Sequence, residues 1–290
     1  MSTKIVFLFL FAFIQTLSVS SQTTNDSTLI NIETFDGNEF MGQIVHEDSL
    51  KIIFKTEKLG DISIFKTDIK RSKTVEVQQI KDGKYWFPNP QSTRYFWSPN
   101  GYGLKEGEGY YQNNWVIWNQ FAYGLSDNFS IGAGVIPLFL FSVPTPVFAT
   151  VKFSIPVVDE KFNIAAGAIA GTIIGESETG FGILYGLATL GSPDVNVTFG
   201  LGYGFAGGEM ASTPAINING LMRVSKSSYI ITENYILSGG GESVVLISFG
   251  GRTIFKKVAL DYGLVLPFFG DGIEIALPWL GFSLPFGKTS

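Results

Sequence analysis

The stretch Val195-Asn-Val-Thr-Phe-Gly-Leu-Gly-Tyr-Gly-Phe-Ala206 decides the class of fold. Every second residue is Val, Leu, Phe or Tyr, and the residues between them are Asn, Thr, Gly and Ala. A period of two is typical of a β-strand whose two faces meet different surroundings. A soluble sandwich would carry charge on its outer face, but neither face is charged here. The pattern therefore predicts a strand with lipid on one face and a narrow lumen on the other.

The same period recurs in the predicted strands 243–255 and 258–268. The longest uncharged stretch, 128–151, has the length of a membrane-spanning helix, but it contains three prolines. Only helices and closed barrels satisfy every backbone hydrogen bond inside a membrane. The sequence therefore predicts an all-β fold, a transmembrane antiparallel up-and-down β-barrel preceded by a small β-domain.

We predict about twelve barrel strands, each long enough to cross a bilayer at a tilt. Their approximate ranges are 92–98, 108–125, 129–141, 147–157, 161–174, 180–191, 194–206, 213–225, 228–238, 243–255, 258–268 and 274–286. Short connections alternate with longer ones, as periplasmic turns and outer loops do in outer-membrane barrels. An even strand number leaves both chain ends in the periplasm. Inward bulky side chains such as Phe148 and Leu221 leave the width of the lumen open.

Five of the charged residues inside predicted strands are candidates for luminal polar positions. These are Lys152, Arg223, Glu233, Arg252 and Asp261. A tight turn at 256–257 would place Arg252 opposite Asp261 on the inward face. That pair is either a salt bridge that fixes the strand register or a contact that selects solutes. The direction of Glu233 stays open, because neither face of its strand is cleanly apolar.

The chain is predicted to have four parts. Lys4 and the apolar run after it, closed by small residues, predict a signal peptide over 1–21. Residues 28–75 form a small periplasmic β-domain, 76–91 a linker, and 92–290 the outer-membrane barrel. The complete absence of cysteine agrees with an oxidising compartment outside the cytoplasm.

The segment 28–75 shows a strand, an Asp36-Gly37 turn, a strand containing Gly42, a charged turn and a last pair of strands around Gly60. This order resembles small SH3-like or Sm-like barrels, whose usual partners are peptides or RNA. Export and a net charge of −5 argue against RNA. The expected partner of this domain is a periplasmic protein or another component of the cell envelope.

The last strand alternates apolar residues up to Phe286 and resembles the terminal signal by which outer-membrane barrels are recognised for insertion. With the stretches Arg94-Tyr-Phe-Trp-Ser-Pro-Asn-Gly101 and Lys105-Glu-Gly-Glu-Gly-Tyr-Tyr-Gln112, residues 85–290 resemble uncharacterised outer-membrane barrel proteins of the Bacteroidota type. The resemblance implies a bacterial outer-membrane location in contact with lipid. It implies no activity.

Little in the sequence points to catalysis. There is no cysteine, and the single histidine, His46, belongs to a predicted charged turn of the small domain. A barrel without histidine lacks the usual proton-transfer partner of envelope hydrolases. The match of residues 202–207 to GxGxxG lies within a predicted strand and opens no helix, so it predicts no nucleotide site. We expect no enzyme, cofactor, metal or nucleic acid.

The leading functional hypothesis is a narrow pore or small-solute transporter of the outer membrane. The alternative is a non-catalytic structural or assembly anchor that presents the periplasmic domain. A barrel enzyme and a soluble secreted sandwich are less favoured readings. The sequence does not specify the solute, the gating or the oligomeric state.

Overall fold

The computed structural model describes residues 29–56, 58–75, 80–81, 84–138, 144–176, 180–239, 242–255, 257–269, 272–273 and 275–288. The predicted signal peptide lies outside these ranges. The chain divides into two compact units between Gly83 and Lys84. The boundaries 28–75, 76–91 and 92–290 stay predictions.

The first unit contains a five-stranded antiparallel sheet. Its strands are β1 (Leu29–Thr34), β2 (Glu39–Glu47), β3 (Lys51–Thr56), β4 (Gly60–Phe65) and β5 (Ile69–Val75), with a 3₁₀ turn at Lys66–Asp68. Their spatial order is β4-β3-β2-β1-β5. Alternating apolar side chains build the core of this unit from Ile32, Ile52, Phe54 and Ile64. The likeness to an SH3-like or Sm-like barrel is not established by this sheet and stays a prediction. Two-residue strands follow, β6 (Ile80–Lys81) and β7 (Lys84–Tyr85).

The second unit is a closed antiparallel barrel of twelve long strands. They are β8 (Glu108–Asn114), β9 (Trp118–Ser126), β10 (Phe129–Val135), β11 (Thr145–Val158), β12 (Phe162–Ile174), β13 (Phe181–Ser192), β14 (Val195–Ala206), β16 (Ala215–Arg223), β17 (Ser228–Gly239), β18 (Glu242–Phe255), β19 (Val258–Phe269) and β21 (Leu277–Gly287). Two short strands, β15 (Glu209–Met210) and β20 (Gly272–Ile273), extend β14 and β19. Each long strand pairs with its sequence neighbours, and β8 pairs with β21 to close the cylinder. The predicted fold class is confirmed.

The two-residue period of the sequence separates the two faces of the wall. Along β14 the exposed residues Val195, Val197, Phe199, Leu201 and Tyr203 alternate with buried ones. The same alternation of outward apolar side chains runs through β9, β11, β18 and β19. A continuous apolar outer surface of this kind is stable in lipid rather than in water. No helix in the described ranges has the length and apolar character needed to span a membrane.

Two predicted strands are wrong, although the total of twelve is right. Residues 92–98 form turns rather than a strand, and 108–125 is interrupted between β8 and β9. The interruption lies at Trp115 and Val116, which adopt φ of 50° and 67°. These residue types rarely adopt positive φ, so the sequence carried no turn signal there. The turn is stabilised by a strand that is distant in sequence, since Trp115 donates its backbone N–H to Leu280 O of β21 at 2.8 Å.

This correction changes the topology at one point. The connection 99–107, predicted as an outer loop, does not join two wall strands. At the end of the barrel that was predicted to carry the outer loops, the tight turn 115–117 joins β8 to β9 instead. The connection between β17 and β18, predicted as one of the longer ones, spans only 240–241, so the predicted alternation of short and long fails there as well.

Candidate functional site

Residues 86–107, which we call the luminal segment, run inside the barrel. The segment begins at the end of the cylinder that carries the short turns, where Phe87 N–H donates to Lys226 O at 3.2 Å. It reverses at 95–98, where Tyr95 N–H donates to Ser98 O at 3.0 Å. It then returns to the same end, where Glu106 N–H donates to the Asp127 carboxylate at 3.0 Å. The lumen is therefore filled from the short-turn end by a reversed loop of the chain.

The structure places all five predicted luminal charges inside the barrel. Four of them bind this segment directly, and Asp261 acts through Arg252. Arg252 and Asp261 lie opposite each other, as the register predicted, and both are buried. Arg252 Nε and Nη2 donate to the Asp261 carboxylate at 2.7 and 2.9 Å. The other donors of the guanidinium go to the luminal segment, at 2.8 Å to Gln91 O and 2.6 Å to Tyr95 O. The salt bridge with Asp261 therefore also orients the Arg252 guanidinium for its hydrogen bonds to the luminal segment.

Glu233, whose direction the sequence left open, points inward and is 3% exposed. Its Oε2 accepts the backbone N–H groups of Trp97 and Ser98, both at 3.0 Å. Its Oε1 accepts the Tyr235 hydroxyl at 2.8 Å. A carboxylate saturated in this way stabilises the reversal of the luminal segment, since charge-assisted hydrogen bonds are stronger than neutral ones.

Lys152 and Arg223 bind the two arms of the segment. Lys152 Nζ donates to Asn100 O at 3.1 Å and to Tyr102 O at 2.5 Å on the returning arm. On the entering arm, Arg223 Nη2 donates to Phe87 O at 2.7 Å, and its Nη1 pairs with Asp194 at 3.0 Å. Together the charges satisfy backbone groups that no strand partner serves, as buried backbone groups require.

Neutral residues complete the contact, and the sequence reasoning missed them. Tyr95 is fully buried, and its hydroxyl donates to Asn196 Oδ1 at 2.6 Å and lies 2.7 Å from Thr198 Oγ1. Gly101 N–H donates to Thr189 Oγ1 at 2.7 Å. A Cβ at Gly101 would stand 2.8 Å from Asn163 O, so only glycine fits against the wall. Inward Asn and Thr on β13 and β14 were the available signal, but the sequence pattern predicts only a narrow lumen there and not the segment that occupies it.

The other half of the lumen holds a cavity of about 970 Å³. Its floor is the reversal of the luminal segment, with Trp97, Ser98 and Glu233 among the lining residues. Trp115, Trp118 and Trp279 line it as well, and the remaining wall is mostly aliphatic. The inward aliphatic residues are Ile169, Ile183, Leu187, Leu237, Leu246 and Val265. The cavity reaches the end that carries the longer connections, through Phe181, Ala206 and Ser238.

The described residues contain no cluster of three or more His, Asp or Glu that could hold a metal ion. His46 lies within β2 rather than in a turn, and it is exposed. Of the GxGxxG match, Gly202 and Gly204 lie in β14, so the strand context expected from the sequence holds.

No protein-family model and no curated protein matches the chain. Among solved structures, a KdgM porin is similar over 62% of this chain and 99% of its own, with a TM-score of 0.46 and 10% identity. A KdgM porin in complex with disordered oligogalacturonate gives 0.45 and 10%, over 62% and 98%. The outer-membrane expressed OmpT of Vibrio cholerae gives 0.33 and 13%, over 89% and 94%. Likenesses at this identity concern the fold alone, and the oligogalacturonate is a ligand of that porin.

Proposed function

We propose that the protein is an outer-membrane barrel for the passage of a small solute, closed at rest by its luminal segment. The apolar outer wall supports the membrane location. The observation that carries the proposal is the use of all five luminal charges to hold residues 86–107. In an open pore such charges would face water, whereas here the channel opens only when these contacts are exchanged for others.

The proposed orientation places the short turns and both chain ends in the periplasm. The small domain then precedes the luminal segment in the chain by about ten residues of the predicted linker. A periplasmic protein or another envelope component that binds residues 28–75 is part of the proposal.

The experiment compares single-channel conductance in planar bilayers of the wild type and the Arg252→Ala/Asp261→Ala variant. The double substitution removes the grip on Gln91 O and Tyr95 O without leaving a lone buried charge. The loss of two charge-assisted hydrogen bonds of about 1.5 kcal/mol each would raise the open fraction on the order of a hundredfold. Lys257→Ala removes an exposed positive charge from a short turn and is the matched control. We expect rare openings for the wild type and for this control.

A closed lumen also favours the second candidate, a non-conducting anchor that presents the periplasmic domain. The two candidates differ in one result. If the double variant folds, shows the heat-dependent gel shift of a barrel and stays silent in the bilayer, the passage proposal fails and the anchor is preferred.

A further inference from the structure

The cavity between the luminal segment and the longer connections differs from the lumen of an aqueous pore. Side chains that face a water-filled barrel are polar. Here the inward residues at this level of β12, β13 and β17 include Ile169, Ile183 and Leu237. The inversion of polarity is local, because the same strands carry Asn163 and Thr189 beside the luminal segment.

The size and shape of the space suit one small molecule. A volume of about 970 Å³ lies at the upper end of ordinary ligand pockets, which run from about 300 to 1,000 Å³. Three tryptophan rings border it from β8, β9 and β21 or the turns beside them, and Trp115 and Trp279 lie 4.6 Å apart between ring centroids. The floor is firm, since Trp97 packs edge-to-face against Trp118 at 5.4 Å.

The polar groups of the floor are already engaged. Both oxygens of Glu233 accept hydrogen bonds, and Ser98 Oγ accepts Asn217 Nδ2 at 2.8 Å. A charged ligand would lose its hydration without finding a free charged partner on this floor, which is costly. Asn114, Trp118 and Trp279, which also line the cavity, each have a buried N–H group without a hydrogen-bond partner among the described residues and can donate to a neutral acceptor. An apolar ligand gains from every ring and aliphatic side chain that it covers.

From this geometry we propose that the cavity is a binding site for a neutral, largely apolar small molecule, held above the closed luminal segment. The site goes beyond the passage of a solute, because binding requires no opening. It is tested separately: failure to bind leaves the conductance experiment intact, and a silent bilayer leaves the binding site intact.

The test uses the whole protein in lipid nanodiscs with diphenylhexatriene, a neutral apolar dye, and measures energy transfer from tryptophan to the dye. Gly204→Phe places a ring in the cavity, because Gly204 lines it and a Cβ there meets only Gly182 O at 3.7 Å. Gly186→Phe is the matched control on the lipid-facing side of β13, where a Cβ meets nothing within 4 Å.

We expect saturable binding by the wild type and by Gly186→Phe, and an affinity at least about tenfold lower for Gly204→Phe, equivalent to about 1.4 kcal/mol. Absence of saturable transfer in the wild type, or equal affinity in both glycine variants, overturns the site. The cationic trimethylammonium derivative of the dye tests whether the site prefers a neutral ligand, because its affinity can be compared with that of the neutral dye. Tighter binding of this cation, lost in Glu233→Gln, would overturn that choice.

Discussion

The two halves of the barrel interior are built from the same strands but have opposite chemistry. Beside the luminal segment the inward residues are charged or polar, as with Lys152, Asn196 and Arg252. Beside the cavity they are aliphatic or aromatic, as with Ile183 and Trp279. The charged side chains Lys152, Glu233 and Arg252 bind backbone groups of the luminal segment, and the apolar half is left for another molecule. Inward polarity in a barrel therefore does not by itself indicate a water-filled path.

The largest loss of stability is expected when one member of the buried ion pair in the polar half is removed. Arg252→Ala leaves Asp261 charged, 1% exposed and without its main partner. We expect a loss of about 3–5 kcal/mol in the free energy of unfolding. The measurement is the temperature at which the barrel loses its compact migration on gels. Arg252→Ala/Asp261→Ala should recover part of the loss, and an unchanged temperature for the single variant would contradict the description of this pair.

Glu233→Ala removes the acceptor of two backbone N–H groups at the reversal of the luminal segment. We expect more frequent channel openings, with a smaller stability loss than for Arg252→Ala, because no charge is left unpaired. Glu233→Gln keeps one side-chain oxygen, so its open probability should lie between those of the wild type and Glu233→Ala. The check is single-channel open probability at neutral pH. Equal open probabilities for Glu233→Ala, Glu233→Gln and the wild type would show that Glu233 does not help to keep the barrel closed.

Tyr95→Phe sharpens the comparison at a neutral contact. It removes the hydroxyl that donates to Asn196 and contacts Thr198, but keeps the packed ring. We expect a loss of about 1–3 kcal/mol, because the partners stay buried without it. Tyr203→Phe, on the exposed lipid side of β14, is the control and should change the unfolding temperature little. Similar losses for the two variants would argue against a luminal position for Tyr95.

The smallest effect concerns the first unit. Asp48 accepts the backbone N–H groups of Leu50 and Lys51 at 2.7 and 2.8 Å, and these bonds lower the pKa of its carboxyl below 3.8. A lowered folded-state pKa stabilises the fold above the unfolded value, and this contribution is lost as the pH falls through the folded value. Asp48→Ala should therefore reduce amide protection near residue 50 at pH 7 and make little difference in strong acid. A variant effect that persists there would contradict the charge-based cause.

The wall of the barrel could be predicted from the sequence, because its period of two follows directly from the different surroundings of the two faces. The register that pairs Arg252 with Asp261 could also be predicted, since a tight turn fixes it. The luminal segment could not. Its stretch 92–98 has the pattern of a short strand, and backbone groups there are bound by side chains such as Glu233 from more than a hundred residues away. Long-range partners of this kind leave no local pattern.

The split at Trp115 was missed for a related reason. Its positive φ is supported by the backbone of β21 at Leu280, and by Asn113 Nδ2, which donates to Val116 O at 2.9 Å. The aliphatic lining of the cavity was visible in the sequence as strands apolar on both faces. It could not be assigned to a cavity until the filled half of the lumen was known.

The central claim is that residues 86–107 close the barrel, and a reversible lock tests it most directly. Ser98 at the reversal and Asn217 on β16 are in hydrogen-bond contact, and the chain has no cysteine of its own. Cysteines at both positions, placed in the Arg252→Ala/Asp261→Ala background and joined by a short bis-methanethiosulfonate linker, which forms a disulfide with each thiol and releases sulfinate, should abolish conductance. Cleavage of these disulfides by a reducing agent should restore it. Each single cysteine treated in the same way should conduct throughout. Undiminished conductance with the linker in place would show that solute passes without displacement of the luminal segment and would contradict the account.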